Sequence, residues 1–162
     1  MARNITDLKK DRMRYTKNTS SATQAYIAII FNVLYFISIY SYNKYAGDFY
    51  YNKQIGFSVI SNLLFLLIAF LSSEGVKNYK ISYSVVFIPL GLFQLLRIIG
   101  IPMNARKAEF SFEGSLTRVM NDKQFIFTCI CLCCSALACF ATAYTGIKKA
   151  KTLKKYEKTL SK

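Results

Sequence analysis

The sequence predicts an all-α integral membrane protein, with four transmembrane helices in an up-down bundle and both termini cytoplasmic. Three observations carry this expectation. Hydrophobic residues make up 53% of the 162-residue chain and charged residues only 19%. The apolar residues gather into four runs near the length of about 20 residues that a helix needs to cross a hydrocarbon layer roughly 30 Å thick. The charge gathers at the ends: the first 21 residues hold six Lys/Arg and two Asp, and the last 15 hold seven Lys and one Glu. A soluble fold would have too little polar surface left to cover four such runs. A nucleic-acid binder spreads basic residues over a folded face, so no nucleic-acid partner is expected. Basic tails beside a hydrophobic body are instead the arrangement of membrane flanks.

Taken in order, residues 1–21 form a basic cytoplasmic tail. The four-helix bundle covers 22–147, with spans at about 22–42, 55–71, 81–101 and 125–147, and 148–162 is a basic amphipathic tail. Lipid offers backbone amides no water to bond, so each span should be helical. With the tails inside, the inner segments carry 15 Lys/Arg against six in the two outer loops. The positive-inside rule therefore favours cytoplasmic termini. The first run is long enough to span and follows 21 polar residues, so no cleaved signal peptide is expected. Asn4 and Asn18 each begin a glycosylation tripeptide, but a cytoplasmic tail would never meet the transferase. Tyr40, Tyr42, Tyr45, Tyr50 and Tyr51 crowd the first outer loop, with Tyr26, Tyr79 and Tyr83 near the inner face, as amphipathic rings prefer headgroup level. The expected location is a cell membrane, the plasma membrane of a bacterium.

Few residues could carry chemistry. Histidine is absent, which removes His-based metal sites, general bases and proton relays. No metal, cofactor or catalytic set is indicated. Within the spans, Asn32 and Asn62 fall at nearly the same depth, and an unpaired amide in hydrocarbon is unfavourable, so each should bond the other. Gln94 and Arg97 lie on the third span. If that span ends near residue 101, Arg97 sits one turn from the outer edge, where its stem can snorkel to the headgroups. Glu109 or Glu113 of the following loop could then fold back as its partner. Pro89 and Gly91 interrupt the same helix and should kink it. Between 102 and 124, apolar and polar residues alternate around Gly114-Ser115, which suggests a short hairpin.

All five cysteines lie between Cys129 and Cys139. Cys131-Leu-Cys-Cys134 contains a CxxC, as in four-helix membrane thiol oxidoreductases. Those enzymes also need a second cysteine pair in a loop, and this chain has none. Small, weakly polar thiols beside Ser135, Ala136 and Ala138 fit helix packing. In the last segment, Ile147, Ala150, Leu153, Tyr156 and Leu160 recur at helical spacing. Lys148, Lys149, Lys151, Lys154, Lys155 and Lys158 fill the other face. The expected partner of that face is a bilayer with an anionic inner leaflet, toward which each Lys contributes about 1 kcal/mol; the same lysines serve equally as a topogenic signal.

These features favour a non-enzymatic membrane protein, an accessory or scaffold subunit of a larger, transport-type complex, meeting a membrane-protein partner or forming a homo-oligomer. The alternative is a small oligomeric transporter or channel. Proton coupling by a buried carboxylate is disfavoured, because no Asp or Glu falls inside the four spans. A thiol oxidoreductase using the fourth-span cysteines ranks last.

Overall fold

The computed structural model describes residues 17–40, 48–112 and 115–160. Helix α1 runs Thr19–Tyr40, α2 Asp48–Lys77 and α3 Ile81–Lys107. Strands β1 (Glu109–Phe112) and β2 (Ser115–Arg118) follow, and α4 runs Asp122–Leu160. All four helices are long and apolar enough to cross a membrane.

Helix ends depart from the apolar runs where local chemistry overrides them. Helix α2 continues past residue 71 to Lys77, and Tyr79 just beyond takes a left-handed φ of 59°. The Tyr79 N–H donates to the Val76 carbonyl at 3.0 Å and the Lys80 N–H to the Gly75 carbonyl at 3.1 Å. This paired closure is a Schellman cap, and it turns the chain into α3 within three residues. Helix α3 passes through both Pro89 and Pro102 without interruption. It does not stop at residue 101, because Ile101 and Ala105 bury against Val119, Met120 and Leu132. That packing offsets the hydrogen bond Pro102 cannot make. At 39 residues, α4 is about 58 Å long, well beyond the bilayer core, so its lysine-rich part projects.

The helices close a ring in which α1 and α3 each contact both α2 and α4. A buried seam runs along α1 through Ser21, Ala25, Ala28, Asn32, Tyr35 and Ile39, and along α2 through Ser58, Asn62, Phe65, Ala69, Ser72 and Val76, with Ala22, Ser38, Ser61, Ser73 and Gly75 buried beside it. Both sets alternate in steps of four and three, the spacing of knobs-into-holes packing. Three glycines permit close approach: a Cβ on Gly75 would collide with the Tyr83 side chain, one on Gly91 would lie 2.8 Å from the Phe140 ring, and one on Gly146 would collide with the Ser84 hydroxyl.

The core divides into two apolar clusters. One holds Ala25, Ala28, Phe65, Phe87, Leu90 and Cys139; the other holds Tyr35, Ile39, Ile101, Met120, Cys131 and Leu132. On the outside, Ile30, Ile37, Phe57, Ile60, Leu67, Leu71, Leu96, Ile99 and Leu137 are exposed. An apolar exterior carried on all four helices suits lipid rather than water. At the far end of α3, β1 pairs antiparallel with β2, Glu109 opposite Arg118. Arg106 and Arg118 both approach Asp122, at 3.1 and 3.7 Å, tying this hairpin to the start of α4.

Candidate functional site

A polar layer separates the two apolar clusters, and every helix contributes to it. The Asn32 amide of α1 donates to Asn62 Oδ1 of α2 at 2.6 Å. Gln94 Nε2 of α3 donates to Asn32 Oδ1 at 2.9 Å and to Ser135 Oγ of α4 at 3.1 Å. Ser135 Oγ in turn donates to the Ala28 carbonyl at 2.9 Å. Arg97 Nη1 donates to Asn32 Oδ1 at 2.8 Å and to Gln94 Oε1 at 3.1 Å. Asn32 is thus the hub, its oxygen accepting from two residues of α3 while its nitrogen reaches α2.

The position of Arg97 corrects the snorkelling expectation. Its residue is only 6% exposed, and the guanidinium stacks 4.3 Å from the Tyr35 ring centroid and 5.6 Å from that of Phe93. The reason is the length of α3. Ten further helical residues separate Arg97 from Lys107, about 15 Å at 1.5 Å per residue, which a side-chain stem cannot cover. Nor does Glu109 fold back onto it: Glu109 stands 3.9 Å from Arg118, and no ion pair reaches Arg97 among the described residues. Glu113 lies outside the described residues. Among the described residues, Arg97 Nε and Nη2, the buried Tyr35 hydroxyl and Ser58 Oγ make no well-formed hydrogen bond. The Tyr35 hydroxyl nonetheless lies within reach of weak bonds to both Ser58 and Arg97, so these groups form one patch.

Tyr35, Ser58 and Ser135 escaped attention as site residues in the sequence. Their signal was phase: each shares the four-three register of the buried seam on its helix. Smaller bonds repeat the pattern at other depths, Ser38 with Thr128 at 2.9 Å and Ser21 with Thr145 at 3.0 Å. The cysteines are free thiols. Cys131 and Cys139 pack in different apolar clusters, and Cys133 faces outward.

At the opposite end from the hairpin, the lysines of α4 continue along the helix. Lys148, Lys151, Lys154, Lys155 and Lys158 are exposed, while Ala150 is buried and Leu153 and Tyr156 are half-buried. Lys149 differs, since its ammonium donates to Asn18 Oδ1 at 3.2 Å. That contact lies beside a pocket of about 380 Å³ lined in part by Lys17, Asn18, Lys149 and Thr152.

The chain matches no protein-family model, no curated protein and no solved structure. The class that the structure supports is a small multi-pass membrane protein.

Proposed function

We propose that the chain is a non-enzymatic accessory or scaffold subunit of a larger membrane complex, an up-down bundle with both termini in the cytoplasm. The observation that carries this reading is the polar layer. Its side chains bond one another across all four helices and are sealed beneath apolar clusters. Groups aimed at each other in this way lock helix register, which is what a rigid platform requires, whereas a substrate site would hold polar groups open to a cleft. The excess of lysine and arginine at the tail end supports the cytoplasmic placement. Affinity purification in mild detergent followed by mass spectrometry tests the role. Recovery of a larger membrane protein at fixed stoichiometry supports it; recovery of the chain alone, with solute movement in liposomes, overturns it.

One observation favours a second reading, an oligomeric transporter or channel for anions. Arg97 is a buried cation whose Nε and Nη2 make no well-formed hydrogen bond among the described residues, beside the Tyr35 and Ser58 hydroxyls. Chloride flux into liposomes that falls on Arg97→Met would support this reading. No flux above protein-free vesicles would remove it.

A further inference from the structure

We propose that the pocket at the lysine-rich end of the bundle is a binding site for a phosphoryl group, either the headgroup phosphate of an anionic lipid or a soluble phosphate monoester. The pocket is lined by Lys17, Asn18, Thr19, Ser20, Tyr79, Lys149 and Thr152, and its volume of about 380 Å³ falls in the range of small-molecule sites. Three features converge there. The pocket opens on the N-terminus of α1, a 22-residue helix, whose first-turn N–H groups lack intrahelical acceptors and whose dipole favours an anion. Two lysines line the same walls. Most telling is Asn18, which is 2% exposed yet has an Nδ2 with no hydrogen-bond partner among the described residues.

The orientation of that amide is over-determined. The Asn18 N–H donates to the Lys77 carbonyl at 2.8 Å. Its Oδ1 accepts from the Ser21 N–H at 3.3 Å and from Lys149 Nζ at 3.2 Å. The oxygen is therefore committed to capping α1 and holding Lys149. The amide cannot be turned around without losing both bonds, so its N–H₂ stays as an unused donor beside two cations and a helix N-terminus. Phosphoryl oxygens are the acceptors that such a donor set lacks. The pocket at the hairpin end makes a useful contrast: two of its three cations, Arg106 and Arg118, already face Asp122 and Glu109. Among the described residues, no carboxylate lines the lysine-end pocket.

The test uses the full chain in detergent micelles, with native mass spectrometry and thermal unfolding as readouts. The probes are phosphatidylglycerol, phosphatidylcholine, inorganic phosphate and glycerol 3-phosphate. Asn18→Asp keeps a strong cap and the Lys149 contact while replacing the idle donor with a negative oxygen. It should weaken binding roughly tenfold, the value of one charge-assisted hydrogen bond. Lys149→Ala should weaken it comparably, and Lys155→Ala, on the exposed part of the tail, should not. Binding of phosphatidylglycerol over phosphatidylcholine that is lost in Asn18→Asp supports the site with a lipid source. Binding of inorganic phosphate or glycerol 3-phosphate, lost in the same variant, supports it with a soluble source. Should Asn18→Asp lower the unliganded unfolding temperature, Asn18→Ser caps equally well and removes only the amide. The proposal is overturned if both Asn18 variants bind like the parent, or if Lys155→Ala loses as much as they do, since either result means diffuse attraction to the tail. None of these outcomes depends on whether the chain serves a larger complex.

Discussion

An arginine inside a membrane span costs up to about 2.5 to 3.5 kcal/mol on insertion scales, and stacking on Tyr35 with two bonds from one nitrogen offsets such a cost at Arg97. Geometry of this kind belongs to a planar guanidinium. A lysine ammonium at the same place would lose the ring contact and reach fewer acceptors. Arg97→Lys should therefore lower stability in detergent by about 1 to 2 kcal/mol although the charge is kept, as read from the unfolding midpoint; an unchanged midpoint would show that charge alone matters. Asn32 matters more, because three partners converge on it. Asn32→Ala leaves several buried groups short of a partner and should cost about 2 to 4 kcal/mol at roughly 1 to 3 per orphaned group. A double-mutant cycle with Asn62→Ala should show strong non-additivity, since both substitutions remove the same bond. Simple addition of the two effects would mean that the 2.6 Å contact contributes nothing.

Between neighbouring helices, the limiting quantity is the distance of closest approach. Helix α2 turns into α3 through a tight Schellman closure, which presses Gly75 against Tyr83. Gly75→Ala places a methyl on the root of that side chain rather than its mobile end, and overpacking of this sort costs about 1 to 3 kcal/mol. Tyr83→Ala in the same molecule should relieve most of the loss. Gly100 is the internal control, since a Cβ there meets nothing within 4 Å. Gly100→Ala should leave stability unchanged or raise it by up to about 1 kcal/mol through helix propensity. If the two alanine substitutions behave alike in thermal unfolding, close packing between α2 and α3 is not limiting. The existence of all four helices was legible in the apolar runs, but their ends were not. The third apolar run ends near residue 101, and only the burial of Ile101 and Ala105 against Met120 and Leu132 carries α3 on to Lys107.

The whole molecule is polarised, with lysines of α4 at one end and, at the other, a hairpin whose Arg118 faces Glu109 and Asp122. If the positive-inside rule sets its orientation, reporters at residues 1 and 162 should both signal the cytoplasm, and one inserted at 113–114 the opposite side. Opposite signals from the two ends would break the four-span topology. The candidate site was only half readable at this scale. Equal depth along a helix follows from a fixed rise per residue, so Asn32 facing Asn62 could be expected. The joining of both to Gln94, Arg97 and Ser135 could not.

The difference has a physical cause. Run length, hydropathy and the position of charge are properties of the chain taken one segment at a time, and they sufficed to predict four helices able to span a membrane, with basic ends. Direction around a helix axis acquires meaning only when another helix lies against it. That Arg97 turns inward to Tyr35 rather than outward to the headgroups was decided by the assembled ring of α1 to α4. So was the gathering of Lys17, Asn18 and Lys149, far apart in sequence, around one pocket.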